Sequence, residues 1–518
     1  LDRGKFNVFR PRKEASDYRI YRFPASLLPG DSARVEISSA MAFEGFQNSL
    51  YAANLLRNGT ANGGGFLPGL GYDEGDEIRR KDIRSDHGLP ERKEADIPHD
   101  DSAGQHTVVS EFNGDLVQLD LTLSTNADQW VVSSGILQKE WLSGGRHYFH
   151  YVTTGPGVYP PFGILSAKYT ILRDTVQLEG GQIVKLAIYY NPPQGINISH
   201  YRAALIDGLR YYSHIFGRYP SNQLSLVQGP QYGPNSLAAP DLIVFAEQNG
   251  WNANLRDTTS MDYIYYNTAY QLAQQWWGQQ VMPNHTVGSK IITEGLARYA
   301  ALSLMERKYG RKGLQDIYQT LGSDYGWGRR TAFNGEHDLL HANAGYLWNT
   351  KAGMVLYGLG KTIGEDSLNA ALRAFKEKWG GRNGGPYAGS QDLYNVLEHY
   401  VPDSMRYYLS DSWLRVALYD NRITEASITP TGRDSSYRVA VTVEVNKHYS
   451  DKGADTTMNN SIDIAVWDQA DLLTRQTYRW TSGRHTFWLI LHQRPSAVEI
   501  DPDRKLMDLN IENNKKEF

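Results

Sequence analysis

Two stretches of this 518-residue chain hold residues whose types and spacing suit chemistry. In GEHDLLHANAG, His337 and His341 stand four apart, with Asp338 beside the first. On a helix that spacing puts two imidazoles on one face, where they could bind zinc while the acid helps a bound water lose its proton. No third ligand is suggested nearby, and an ordinary polar stretch lining a cleft is the plainer reading. In AYQLAQQWWG, followed by TEGLARY, Glu294 offers a carboxylate and Arg298 stands four residues on, a spacing at which Glu and Arg meet along a helix. Tyr270 could ligate a metal only after losing a proton of pKa about 10. Gln271 and Gln274 offer amide oxygens, poor ligands for zinc and better suited to Ca²⁺ or Mg²⁺. His285, on a predicted loop nine residues before Glu294, could approach this group.

The elements that would position these residues fall into three blocks. To about residue 195 the pattern is of strands: LVQLDLTLS, HYFHYVTTG, AKYTILRD and IVKLAIYYNP alternate or are β-branched, with Gly, Pro and Asn between them. Within this block GYDEGDEIRRKDIRSDHGLPERKEADIPHDD alternates in charge and lacks apolar periodicity, and is expected to be a solvated loop wrapping the domain. From 196 to 421 helices dominate, among them ISHYRAALIDGLRYYSHIFGRYP, SMDYIYYNTAYQLAQQWWGQQV and ITEGLARYAALSLMERKYG. From 422 to 518 the period returns to two, as in YRVAVTVEVNKHY and HTFWLILHQ, which reads as a terminal antiparallel β domain. The fold class expected is multidomain α+β.

Composition narrows the partners. Hydrophobic content of 41% and charged content of 21% are ordinary for a globular protein, and a net charge of -4 gives no reason to expect nucleic acid or an anionic membrane. The 34 Tyr and 12 Trp favour sheets and surfaces that contact carbohydrate or peptide, though tyrosines buried in β domains account for most of them. There is no Cys, which excludes disulfides, thiolate catalysis and Cys-ligated zinc. No apolar run approaches the ~20 residues that span a bilayer. The opening LDRGKFNVFRPRKEASDYRIYRFPA carries no signal-peptide pattern and does not begin with Met, so an excised soluble portion is expected.

AYQLAQQWWG, TEGLARY and the earlier HIFGRYP together resemble the gluzincin aminopeptidase family, that of aminopeptidase N. LLPGDSARVE, GFQNSLYAANLLRNGTANGGGFLPGLGY, TIGEDSLNAALRAF, ALYDNRITEA and IDPDRKLMDLN are similar to the branch of that family fused to bacterial ABC transporter permeases. The resemblance implies an N-terminal β (saddle-like) domain over 1–195 that lacks its first strands. It also implies a thermolysin-like α/β and helical gluzincin domain over 196–421 and a C-terminal β-sandwich over 422–518.

Carried over residue by residue, the resemblance removes the chemistry. The family helix reads His-Glu-x-x-His-Gln-Trp-Trp-Gly. Aligned on Trp276-Trp277-Gly278, it puts Tyr270 at the first histidine, Gln271 at the general-base glutamate and Gln274 at the second histidine. The third ligand position is Glu294, and the position of the family's catalytic tyrosine is Asn349 in LWNTKAGM. YGPNSLAAPDLIVFAE, where the substrate's amino end would be gripped, has no Gly-x-Met-x-Asn pattern. The expectation is a pseudopeptidase, with a cleft formed by Tyr270, Gln271, Gln274, Glu294, Arg298 and Asn349, no metal and no cofactor. Arg298 would replace the metal as partner of Glu294. A protein or peptide partner is expected, a membrane transporter among the candidates, on the extracytoplasmic side of a membrane to which the full-length protein is tethered. The alternative is an active zinc metallopeptidase with a non-standard ligand set, such as Glu294 with His285, or His337 with His341. A third reading is weak carbohydrate or peptide binding through the aromatic β domains.

Overall fold

A computed structural model describes most of residues 116–518, with breaks at 154, 156, 159–161, 230–235, 256–260, 333–334, 433–435, 451–453, 457 and 509. Of the first 115 residues it describes 7–9, 20–23, 25–28, 30–40, 55, 59–62, 78, 80–90 and 96–108. The chain divides into two compact units, Leu1–Ala42 and Phe43–Phe518. The first contains an antiparallel pair, β1 (Asn7–Phe9) with β2 (Ile20–Arg22).

The second unit begins with two three-stranded sheets. One joins β3 (Ala61–Asn62), β8 (Ile164–Ala167) and β5 (Trp130–Ser133); the other joins β4 (Asp120–Asn126), β7 (Arg146–Val152) and β6 (Ile136–Ser143). Along β7 alternate residues are buried, and Phe149 and Tyr151 pack with Val131 as the core of this part. The charged insert is more than a solvated loop. It forms a short helix α1 (Lys81–Asp86), and its end near Ile97, with the helix α2 (Ser102–His106) that follows it, is zipped onto the helical part. The Val287 N–H donates to Ile97 O at 2.8 Å, that of His285 to Thr107 O at 2.8 Å, and that of Tyr387 to Gln105 O at 2.8 Å. Periodicity misses this because backbone groups make the contacts.

A mixed five-stranded sheet follows, in the order β12 (Ser236–Ala239), β13 (Leu242–Ala246), β11 (Gln223–Gly229), β10 (Ile183–Tyr190), β9 (Thr170–Gln177). It takes strands from both sides of residue 195, where the sequence suggests a domain boundary. Strands β10, β11 and β13 are parallel, while β9 and β12 run antiparallel to their neighbours at the two edges. Helices α3 (Ile198–Phe216) and α4 (Tyr263–Ala273) pack beside it, and α5 (Glu294–Thr331) packs against those two helices. Helix α4 is capped by Asp262, whose carboxylate accepts from the Tyr265 N–H at 2.9 Å, and it is buried on nearly every side. It stops at Ala273 rather than continuing through the tryptophans as the pattern suggests; Trp276 and Trp277 lie in the following turns and have no exposed surface. Burying each such ring stabilises the fold by roughly 2–3 kcal/mol.

A π-turn (Tyr346–Lys351) leads into α6 (Ala352–Ile363), followed by α7 (Glu365–Trp379), α8 (Ser390–Tyr400) and α9 (Arg406–Trp413). Two four-stranded sheets complete the chain. One contains β14 (Ala417–Pro430), β15 (Tyr437–Tyr449), β16 (Ala454–Thr456) and β19 (Gly483–Leu491). The other contains β18 (Asp471–Thr481), β17 (Asn459–Asp468), β20 (Ala497–Ile500) and β21 (Lys515–Glu517). Val439, Val441, Val443 and Val445 alternate on β15 and are buried, as are Ile462, Ile464 and Val466 on β17. Among the described residues no helix is long and apolar enough to cross a membrane.

Candidate functional site

Three elements bring four of the expected residues together: α4 supplies Tyr270, α5 supplies Glu294 and Arg298, and the π-turn supplies Asn349. The Tyr270 hydroxyl donates to Glu294 Oε2. The Asn349 Nδ2 donates to the same carboxylate oxygen at 3.1 Å and lies 3.1 Å from the Tyr270 hydroxyl. On its other side Asn349 Oδ1 accepts from Arg298 Nε at 2.8 Å, and another guanidinium nitrogen reaches Tyr266 Oη at 2.9 Å. The guanidinium lies over the Tyr270 ring, 4.1 Å from its centroid.

Arg298 therefore does not pair directly with Glu294, as the helical spacing suggests. Asn349 stands between them, accepting from the cation and donating to the anion. The reason is local packing. Gly353 on α6 has no side chain, and a Cβ there would come within 2.5 Å of the Arg298 Cβ. The arginine stem lies in that space and carries its head to Asn349. A π-turn widens the helix by one residue per turn, a feature that recurs at functional sites. Burial pushes the Glu294 carboxyl above the usual carboxylate range, and the positive charge of Arg298 opposes this without cancelling it.

The other expected residues stand apart from this cluster. Gln271 points to the edge strand, its Nε2 donating to Ser236 Oγ at 2.7 Å, and its Oε1 is buried without a partner among the described residues. Gln274 is the C-cap of α4 and partly buried. His285 is held through its backbone to the 104–107 segment, and no hydrogen bond or ion pair joins its ring to the cluster among the described residues. His337 and His341 sit in an extended segment and turn rather than on a helix, and His341 Nδ1 meets Asp338 Oδ1 at 2.8 Å. Residues 232–235 of the stretch read as the amino-end grip lie outside the described residues.

The donors present do not fit a zinc ion. Tyr270 is engaged as a hydrogen-bond donor, Gln274 offers a neutral amide, and the Glu294 oxygen that would ligate is occupied by two donors. Among the described residues no group of three or more His, Asp or Glu is arranged to hold a metal ion.

Two features were not read from the sequence. Gln271, Gln275 and Gln279 form a row at four-residue spacing that grips edge strand β12: Gln275 Nε2 donates to Ala239 O at 2.9 Å and Gln279 Nε2 to Ala238 O at 3.2 Å. The spacing was visible in QLAQQWWGQQ, but nothing in it identified the strand that the amides would reach. The second is a buried ion network on the far side of the π-turn. Lys351 Nζ meets Glu336 Oε1 at 2.7 Å, Arg329 Nε meets Glu336 Oε2 at 2.7 Å, and the Tyr325 hydroxyl donates to the same carboxylate. These residues are up to 26 positions apart in the chain, so no local spacing signals them.

No protein-family model matches this chain, and no curated protein does. Among solved structures, aminopeptidase A of Legionella pneumophila, in complex with aspartic acid, is similar with a TM-score of 0.52 at 14% identity. That match covers 76% of this chain and 45% of the Legionella protein, so the chain spans less than half the length of that relative. A mutant M1 zinc metallopeptidase from Deinococcus radiodurans is 16% identical with a TM-score of 0.45, over 58% of this chain and 65% of that one. What this chain has in common with the aminopeptidase is its fold.

Proposed function

We propose that this chain is a catalytically inactive, peptidase-like domain that binds a protein or peptide or serves in assembly. The observation that carries this reading is the closed network of Tyr270, Glu294, Asn349 and Arg298, in which the groups at three family positions satisfy one another. A hydrolytic site needs those groups free to face a metal, a water and a substrate. Gln271, at the general-base position, cannot accept a proton from water, and general-base assistance of about 10²–10⁴-fold would be absent. The association with a bacterial ABC transporter permease, and an extracytoplasmic position beside it, rest on the sequence resemblance.

The test is elemental analysis of the purified chain after incubation with excess zinc and gel filtration. The expected result is less than about a tenth of an equivalent retained, with no peptide hydrolysis. The variant Tyr270→His with Gln274→His, which keeps Glu294, would supply two imidazoles and a carboxylate in the family frame. Zinc gained by that variant alone supports the reading. About one equivalent in the unaltered chain, lost on Glu294→Ala, overturns it.

A further inference from the structure

Strand β19 lies at the edge of its sheet. It pairs with β15 from Gly483 to Leu491, and no backbone hydrogen bond reaches its other side among the described residues. The amides and carbonyls that alternate along that side are open to a further strand. Its side chains alternate as well. Leu489 is buried, Phe487 and Leu491 pack against the core, and Trp488 and Ile490 between them are 58% and 47% exposed.

Other long outer strands carry charge within them, as Lys139 and Glu140 do on β6, Arg173 and Asp174 on β9, and Arg475 and Arg479 on β18. Such charges discourage pairing with a foreign strand. From His485 to Leu491, HTFWLIL, β19 has no Lys, Arg, Asp or Glu, and its aromatic and branched residues favour a strand.

The charges at its two ends narrow the partner. Arg438 lies opposite Ile490 and holds its guanidinium 5.0 Å from the centroid of the Trp488 ring. Neither Arg438 nor Arg494, just past the strand, has a carboxylate partner among the described residues. Asp468, at the same end, bonds Gln493 instead. At the other end Arg484 is already neutralised by Glu425 at 2.6 Å. Antiparallel pairing of two copies through β19 would set the cationic end of each beside the neutralised end of the other. Arg438 and Arg494 would gain no anion there, so a different, acidic partner matches this edge better.

We propose that β19 is a docking edge for an extended segment of a partner protein, apolar at alternate positions and acidic beside Arg438. The added strand would bond the open backbone groups, and its side chains would lie along Trp488 and Ile490. The edge belongs to other elements than the Tyr270 cluster, so the inference holds whether or not the cleft hydrolyses. Zinc retention reports on the cleft alone, and either idea can fail without the other.

The experiment is fluorescence-anisotropy titration of a labelled peptide of about ten residues, valine and threonine alternating between terminal glutamates. Binding at about 10–100 μM is expected, at least about fivefold weaker with lysines at the ends and absent when the peptide backbone is N-methylated. Trp488→Lys and Ile490→Lys place on β19 the charge that other edges carry, at exposed positions. Each should melt like the unaltered chain and bind at least about tenfold more weakly. Either variant decides the matter if the other does not fold. No binding up to about 1 mM overturns the proposal, as does equal binding of the N-methylated peptide or unchanged binding by the variants. A dimer of the unaltered chain in sedimentation, lost in Trp488→Lys, overturns it in favour of a second copy.

Discussion

The two faces of the π-turn Tyr346–Lys351 solve the burial of a carboxylate in different ways. On one face Lys351 and Arg329 hold Glu336 directly, with the Lys351 and Glu336 side chains each only 1% exposed. On the other, Glu294 receives a phenol and an amide while its nearest cation, Arg298, is bonded to Asn349. The first arrangement neutralises charge and fixes the turn. The second satisfies hydrogen bonds but leaves the charge without a direct counter-ion, which is why burial raises the Glu294 carboxyl. Glu294 is thus held by hydrogen bonds alone, whereas Glu336 is held by two cations.

If this contrast holds, removing the direct partner costs most. Lys351→Met leaves Glu336 buried with only part of its neutralisation and should cost about 3–5 kcal/mol in urea unfolding. Adding Glu336→Leu should recover part of that loss. Arg298→Met strands the Asn349 Oδ1 and should cost less, about 1–3 kcal/mol. A loss equal to that of Lys351→Met would mean that Arg298 neutralises Glu294 directly in solution, and the contrast would fail.

Glu294→Gln should cost nothing or stabilise at neutral pH, because a Gln oxygen still accepts from Tyr270 and Asn349 while the uncompensated charge is gone. The sign follows from linkage: the native carboxyl holds its proton more tightly than the unfolded one, whose value is 4.5. The penalty is full above the native value and disappears as pH falls toward 4.5, so the advantage of Glu294→Gln should shrink over that range. Urea midpoints measured from pH 8 downward test this; an advantage independent of pH would contradict it.

The smallest effect concerns the docked segment 96–108. The His99 ring lies 5.0 Å from that of His341, and burial first, then the His341 charge, lower its affinity for a proton below the ordinary 6.5. Docking is thus favoured with His99 neutral, and that contribution is lost as pH falls from 6.5 through the native value. Proteolytic nicking within 96–108 should rise about two- to tenfold from pH 8 to pH 5, and His99→Phe should flatten that rise.

Much of the architecture was legible because it rests on short-range regularities. Alternating valines on β15 announce a strand with one buried face, and Asp262 before an apolar run announces the start of α4. The end of α4 was not legible. LAQQWWGQQ continues the helical pattern, yet Trp276 and Trp277 gain more from burial in the turns beyond Ala273. The shared sheet was hidden as well, since parallel pairing of β10 with β11 joins segments separated by a whole helix.

By itself the sequence determined which chemical groups stand at positions 270, 271, 274, 294, 298 and 349, and therefore that imidazole is absent from all of them. Residue identity is a property of the chain, and the ligating power of a side chain follows from it. Only the tertiary structure decided which groups meet. Glu294 and Arg298 are one helical turn apart, yet the space left by Gly353 and the width of the π-turn insert Asn349 between them. Such outcomes depend on how closely three separately encoded elements approach, and packing of the whole core sets that distance.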